Sequence, residues 1–217
     1  MKNKSKKAVV FDFDGTITNS MSLQNYCIVK GLESVGCFSV KENNVSDFYG
    51  PTERGIISLI VPPGKKDEAW SKCLEVYKEK AKDLKPFDGM IDLFKFLQSK
   101  NIKIFLVTGR NRETLDISLD DMKLGSYFIN TYSGSDLGTN KEESITTLLN
   151  DYSLTKEETV YIGDTLDDIR MMRNVNIDII SAGYSHNLEY QNQLEASNPN
   201  NVCKSIEELK EKLSQII

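Results

Sequence analysis

The chain has 217 residues, 39% hydrophobic and 27% charged, with a formal net charge of −5. That balance suits a globular protein with one core and a small second unit, and its mild acidity argues against a nucleic-acid surface, which needs a clustered basic face. No apolar run approaches a membrane span and none has the make-up of a secretory signal, so the expectation is a cytoplasmic protein with neither a membrane nor nucleic acid as partner.

Ala8 to Phe11 is a short apolar run ending in Asp12-Phe13-Asp14-Gly15-Thr16. An unbroken apolar run fits a strand buried on both faces, as in a parallel sheet. Alternation then sends the Asp12 and Asp14 side chains to the same side of the strand end, and Gly15 lets the chain leave sharply. Ligands in open parallel sheets bind beyond the carboxyl ends of the strands. Two carboxylates about 4 Å apart repel by roughly 4 kcal/mol at an effective dielectric of about 20. A proton or a hard cation such as Mg²⁺ offsets that repulsion.

From Met21 to Leu32 the apolar residues fall mostly at helical spacing, closed by Gly36. Gly50-Pro51 makes a turn, Thr52 caps a helix over Glu53 to Ile60, and Pro62-Pro63-Gly64 ends it. Lys65 to Leu84 reads as one long charged amphipathic helix carrying Ala69, Trp70, Leu74, Tyr77 and Ala81. This helical stretch is too long for a single crossover, so residues 18–85 read as an inserted all-helical domain between the core segments 1–17 and 86–217. Arg54, on the turn in the middle of that insertion, is a candidate contact for an anionic leaving group.

Pro86-Phe87-Asp88-Gly89 marks the return to the core. Strands are expected over Ile102 to Val107, Phe128 to Tyr132, Thr159 to Ile162 and Ile177 to Ser181, alternating with helices. Gln191 to Asn201 is polar and Asn-rich and reads as a surface loop, and Ile206 to Ile216 as a closing helix. Strand–helix alternation implies an α/β fold with a Rossmann-like parallel sheet and right-handed crossovers. The cysteines, Cys27, Cys37, Cys73 and Cys203, form no CxxC pair and His186 is the only histidine, so no structural zinc site is expected and the thiols fit a reducing compartment.

Three strand ends carry reactive groups: Asp12 and Asp14, then Thr108-Gly109, then Asp164 with Asp168; Lys141 opens a helix between the last two. A parallel sheet gathers these ends on one edge. Carboxylates, a hydroxyl, backbone amides and an ammonium make an inventory suited to phosphoryl transfer.

The order of these motifs resembles that of the haloacid dehalogenase-like (HAD) hydrolases, beginning with DFDGT. The resemblance covers residues 7–16 and 86–217, and the insertion resembles, in place and length, the helical cap of the phosphoglycolate phosphatase-like branch. By this resemblance Asp12 is a nucleophile and Asp14 a general acid/base. Thr108 with Gly109 binds phosphate, and Lys141 orients it. Asp164 and Asp168, with Asp12 and the backbone carbonyl of Asp14, hold Mg²⁺. Lys141 is followed by Glu142 where many relatives have proline; Lys123 and Lys156 are alternative lysines outside the motif order. The implied activity is Mg²⁺-dependent hydrolysis of a small phosphorylated metabolite through an aspartyl-phosphate, by a monomer or homodimer. A phosphosugar mutase of the same fold, a signalling phosphoacceptor and a non-catalytic binding module are the alternatives.

Overall fold

The computed structural model describes residues 5–138 and 141–217. Among these, strands β1 (Ala8–Phe11), β2 (Lys103–Val107), β3 (Asn130–Tyr132), β4 (Thr159–Gly163), β5 (Asp178–Ala182) and β6 (Val202–Cys203) form one sheet. The spatial order is β3-β2-β1-β4-β5-β6, and every pairing is parallel. Strand β1 is the topological switch point: the chain builds outward through β2 and β3, then returns to β4 on the other side. Phe11 pairs with both Leu106 and Ile162, so the three chain segments that follow these residues emerge side by side.

The helices of the described residues are α1 (Met21–Ser34), α2 (Glu53–Ile60), α3 (Lys66–Lys80), α4 (Met90–Ser99), α5 (Arg112–Asp121), α6 (Lys141–Asp151), α7 (Leu166–Val175), α8 (Leu188–Ser197) and α9 (Ile206–Ser214). Alternation along β1 divides the core in two. Val9 and Phe11 face a layer with Phe94 of α4, Leu115 of α5 and Leu209 of α9. Ala8 and Val10 face the opposite layer with Ile145 of α6, Met172 of α7 and Leu194 of α8. Burying both faces explains why β1 is apolar without a break.

Helices α1 to α3 share an apolar cluster of their own, including Ile28, Leu32, Ile57, Trp70 and Tyr77. Polar contacts tie these helices to the sheet side. Glu53 accepts from the Asn111 backbone N–H at 2.7 Å and from Thr114 Oγ1 at 2.7 Å. Trp70 Nε1 donates to Glu113 at 2.9 Å, and Thr52 Oγ1 donates to Asp136 at 2.6 Å.

Three local expectations need correction. Most of the stretch read as a loop from Gln191 is helical, because Asn187 caps α8 through a bond from the Tyr190 N–H at 3.0 Å. The long helix from Lys65 to Leu84 ends at Lys80, with a tighter turn over Ala81–Asp83. The third strand is confined to Asn130–Tyr132, and β6, only two residues long, went unread. No helix among the described residues is long and apolar enough to cross a membrane.

Candidate active site

Strand β1 ends at Phe11, so Asp12 to Thr16 form the turn at its carboxyl end. Gly15 has φ +72°, and a Cβ there would lie 2.1 Å from Asp164 Oδ2. Only glycine lets the first turn press against the carboxylate after β4.

Asp12, Asp164 and Asp168 are buried, and an oxygen from each lies within 4.8 Å of the others. Lys141, the first residue of α6, reaches into this cluster: its Nζ is 3.0 Å from Asp12 Oδ2 and 2.7 Å from Asp168 Oδ1. Asp168 is held further by Thr165 Oγ1 at 2.6 Å and Tyr161 OH at 3.2 Å. Its bond to the Thr165 N–H and the Thr165 cap on its own N–H complete a capping box, so helix capping and site geometry use one residue. Asp164 meets His186 Nε2 at 2.8 Å and Thr16 Oγ1 at 3.4 Å.

The two aspartates of the first turn have different neighbours. Asp14 Oδ1 accepts from Ser20 Oγ and from Gln24 Nε2 at 2.5 Å, and Arg110 Nη1 stands 3.6 Å away. Burial pushes Asp12 up to about 8 against the pull of Lys141. Burial also raises Asp14 and Asp164 above the ordinary carboxylate range. For Asp168, burial is outweighed by Lys141 and the Thr165 bonds, and its carboxyl titrates below that range. Burial would lower Lys141, but Asp12 and Asp168 hold it well above its usual value.

The donor set fits a hard divalent cation. All three side chains offer oxygen, their summed charge when ionised exceeds that of Lys141, and Asp12 Oδ1 is buried with no hydrogen-bond partner. Such an orphaned acceptor is costly unless something binds it, and clustered carboxylate oxygens suit Mg²⁺. The Asp14 carboxylate is outside this cluster, turned toward α1 and Arg110.

Thr108 is buried at the end of β2, and its Oγ1 accepts from the Arg110 N–H at 3.4 Å. Gly109 lies against the loop after β3, where a Cβ on Gly134 would fall 2.3 Å from the Gly109 carbonyl oxygen. The ion partners of Arg54 are Asp67 at 3.1 Å and Asp136 at 3.9 Å. Arg110 went unread. Its guanidinium is buried over the rings of Phe13 and Tyr77, 3.5 Å from Glu53 and beside Asp14. Directly after Thr108-Gly109, it reads in the sequence as one more loop residue.

Comparison with known proteins gives the family of the chain. Residues 9–182 match the family model described as Haloacid dehalogenase-like hydrolase. The chain belongs to the haloacid dehalogenase-like hydrolases. It is 25% identical to a phosphoglycolate phosphatase of Nitrosococcus oceani, the alignment covering 98% of each chain. It is 25% identical to the pyrophosphatase PpaX of Bacillus mycoides, over 96% of this chain and 97% of that one. The crystal structure of a predicted phosphoglycolate phosphatase from Haemophilus somnus superposes with a TM-score of 0.80 at 16% identity, over 98% and 99% of the two chains. Within the family this chain is phosphoglycolate phosphatase-like, an enzyme of the phosphatase type.

Proposed function

We propose that the protein hydrolyses a small phosphorylated metabolite, with Mg²⁺, through an aspartyl-phosphate on Asp12. The observation that carries this reading is the buried Asp12–Asp164–Asp168 cluster, paired with a single ammonium and open at one Asp12 oxygen. Asp12, Asp164 and Asp168, with the Asp14 backbone carbonyl, would hold the cation. When bound it neutralises the carboxylates and polarises a phosphate oxygen.

Asp12 attacks phosphorus, an Asp12 O–P bond forms and the ester O–P bond breaks. Asp14, whose carboxyl burial raises above the ordinary carboxylate range, gives a proton to the departing oxygen. It then takes a proton from the water that attacks the aspartyl-phosphate, releasing inorganic phosphate and restoring Asp12. Ser20 and Gln24 fix the direction of the Asp14 carboxyl throughout. Lys141 and Thr108 hold the transferring group, and Lys141 keeps its positive charge because Asp12 and Asp168 flank it. Residues 18–85 act as a cap that excludes bulk water, with Glu53, Thr52 and Trp70 as its polar contacts to the core. The four thiols are unpaired, in keeping with a cytoplasmic reaction.

The test is hydrolysis of a panel of phosphorylated metabolites, including phosphoglycolate and pyrophosphate, with and without Mg²⁺. Wild-type protein should show Mg²⁺-dependent release of phosphate and a phosphorylated protein on acid quench. Asp12→Asn should show neither. Turnover retained in Asp12→Asn would remove Asp12 from the nucleophile's role.

A further inference from the structure

His186 is the only histidine of the chain and has no part in the reaction described above. It follows the short turn Gly183–Ser185 after β5, and its ring points back across the sheet edge, with Nε2 2.8 Å from Asp164 Oδ2. An ionised carboxylate only accepts, so in that state of Asp164, the one that would ligate a cation, the ring nitrogen is the donor.

The imidazole is held on several sides. Its ring stacks on Tyr190 at 4.3 Å between centroids, with 37° between the planes. The Tyr190 hydroxyl accepts from the Leu166 N–H at 3.3 Å, at the start of the helix that carries Asp168. The His186 backbone is fixed by a bond from its N–H to the Gly183 carbonyl at 3.1 Å. Gln191 Nε2 donates to the carbonyls of both Gly183 and His186, each at 3.0 Å. The start of α8 and the start of α7 are thus tied around one carboxylate. With Oδ2 taken by the ring, Asp164 Oδ1 keeps only Thr16 Oγ1, at 3.4 Å.

We infer that His186 is a positioning residue for the cation site: its ring N–H fixes one oxygen of Asp164 and leaves the other available to the ion. This rests on the cation-binding reading given above. A carboxylate free to rotate loses entropy when it ligates, and one already pinned does not. Partners of this kind typically contribute about 10- to 100-fold in metal affinity. Tyr190 and Gln191 hold the ring and loop in turn.

The experiment is Mg²⁺ binding by calorimetry to the full chain in the absence of substrate, with ¹⁵N NMR of the imidazole alongside. The single histidine gives one unambiguous pair of ring signals. In the wild type these should shift saturably over the concentrations at which calorimetry detects binding. His186→Ala should weaken Mg²⁺ binding by about 10-fold or more, and His186→Gln, whose side-chain amide reaches the same oxygen, should restore most of it. Melting of the EDTA-treated variants separates loss of fold from loss of binding. Equal affinity in a folded His186→Ala variant, or ring signals indifferent to Mg²⁺, overturns the inference while leaving the cation site intact. Wild-type protein that binds no Mg²⁺ overturns the cation site, and this role with it.

Discussion

Lys141→Ala removes the ammonium that faces the buried carboxylates. Its Nζ lies 3.0 Å from Asp12 and 2.7 Å from Asp168. At those separations each attraction is on the order of 5 kcal/mol at an effective dielectric of about 20. Burying the ammonium offsets much of that gain, and removing one partner of a buried pair typically costs about 3–5 kcal/mol. For a chain of this size each kcal/mol moves Tm by about 2–4 °C, so Tm in EDTA should fall on the order of 10 °C. The loss should depend on pH. Without the ammonium Asp12 and Asp164 titrate higher still when folded and Asp168 loses the main charge that lowers it, so folding is favoured while they are protonated and disfavoured as pH rises. Calorimetric melts in EDTA at pH 6 and pH 9 should therefore show the larger deficit at pH 9, and Mg²⁺ should recover part of it. Lys141→Met, which keeps the aliphatic packing, should lose nearly as much. A variant melting within a few degrees of wild type at pH 9 in EDTA would refute the claim that this charge holds the cluster together.

Asp164→Asn should raise the Mg²⁺ concentration for half-maximal rate by about tenfold or more, since it removes a ligand charge; unchanged metal dependence in a steady-state titration would take Asp164 out of the cation site. The metal-free wild type should itself lose stability as pH rises from about 4 toward 8. Burial holds Asp12 at about 8 against an ordinary value of 3.8, so the folded state keeps a proton that the unfolded chain has released; melts in EDTA that rise across that interval would contradict this. Arg54→Ala should change stability by about 1 kcal/mol or less, because its near partner Asp67 is 86% exposed, Asp136 stands 3.9 Å off, and partly exposed pairs of this kind are weak. A tenfold loss of kcat/KM confined to substrates with a second anionic group would instead assign Arg54 to the leaving group.

Much of this molecule is legible because its signals are local. An apolar run that stops at Asp or Thr reads as a buried strand with a functional end, and β1, β2 and β4 all announce themselves so. Helix α8 fails the same test for a physical reason: of its ten residues only Leu194 is buried, so no apolar stripe marks it. The Asn187 cap was the available signal, and it lay just before the stretch read as a loop. Strand β6 exists through its pairing with Ser181 and Ala182 of β5, a long-range fact that two residues do not advertise. Arg110 is likewise defined by closure. It counts as more than a loop residue only once Tyr77, Glu53 and Asp14 have come together around it from three separate stretches.

The alternation rule placed Asp12 and Asp14 together; what it did not convey is how differently they would be surrounded. They remain close enough for the charge on Asp14 to contribute to the raised value of Asp12. Yet β1 stops at Phe11, and the turn hands each carboxylate to a different wall. Asp12 meets Lys141 and the carboxylates after β4, whereas Asp14 meets Ser20, Gln24 and Arg110. In the proposed reaction that difference separates the roles. The residue facing the cation cluster is stabilised as an anion once the ion binds, and an anion is what attacks phosphorus. The other residue faces Arg110 instead of the carboxylate cluster, and burial raises its carboxyl above the ordinary range, which favours the proton-donating form. If residues 18–85 act as the cap proposed above, Ser20 and Gln24 lie at its start, and a movement of the cap would carry with it two of the groups that orient the acid.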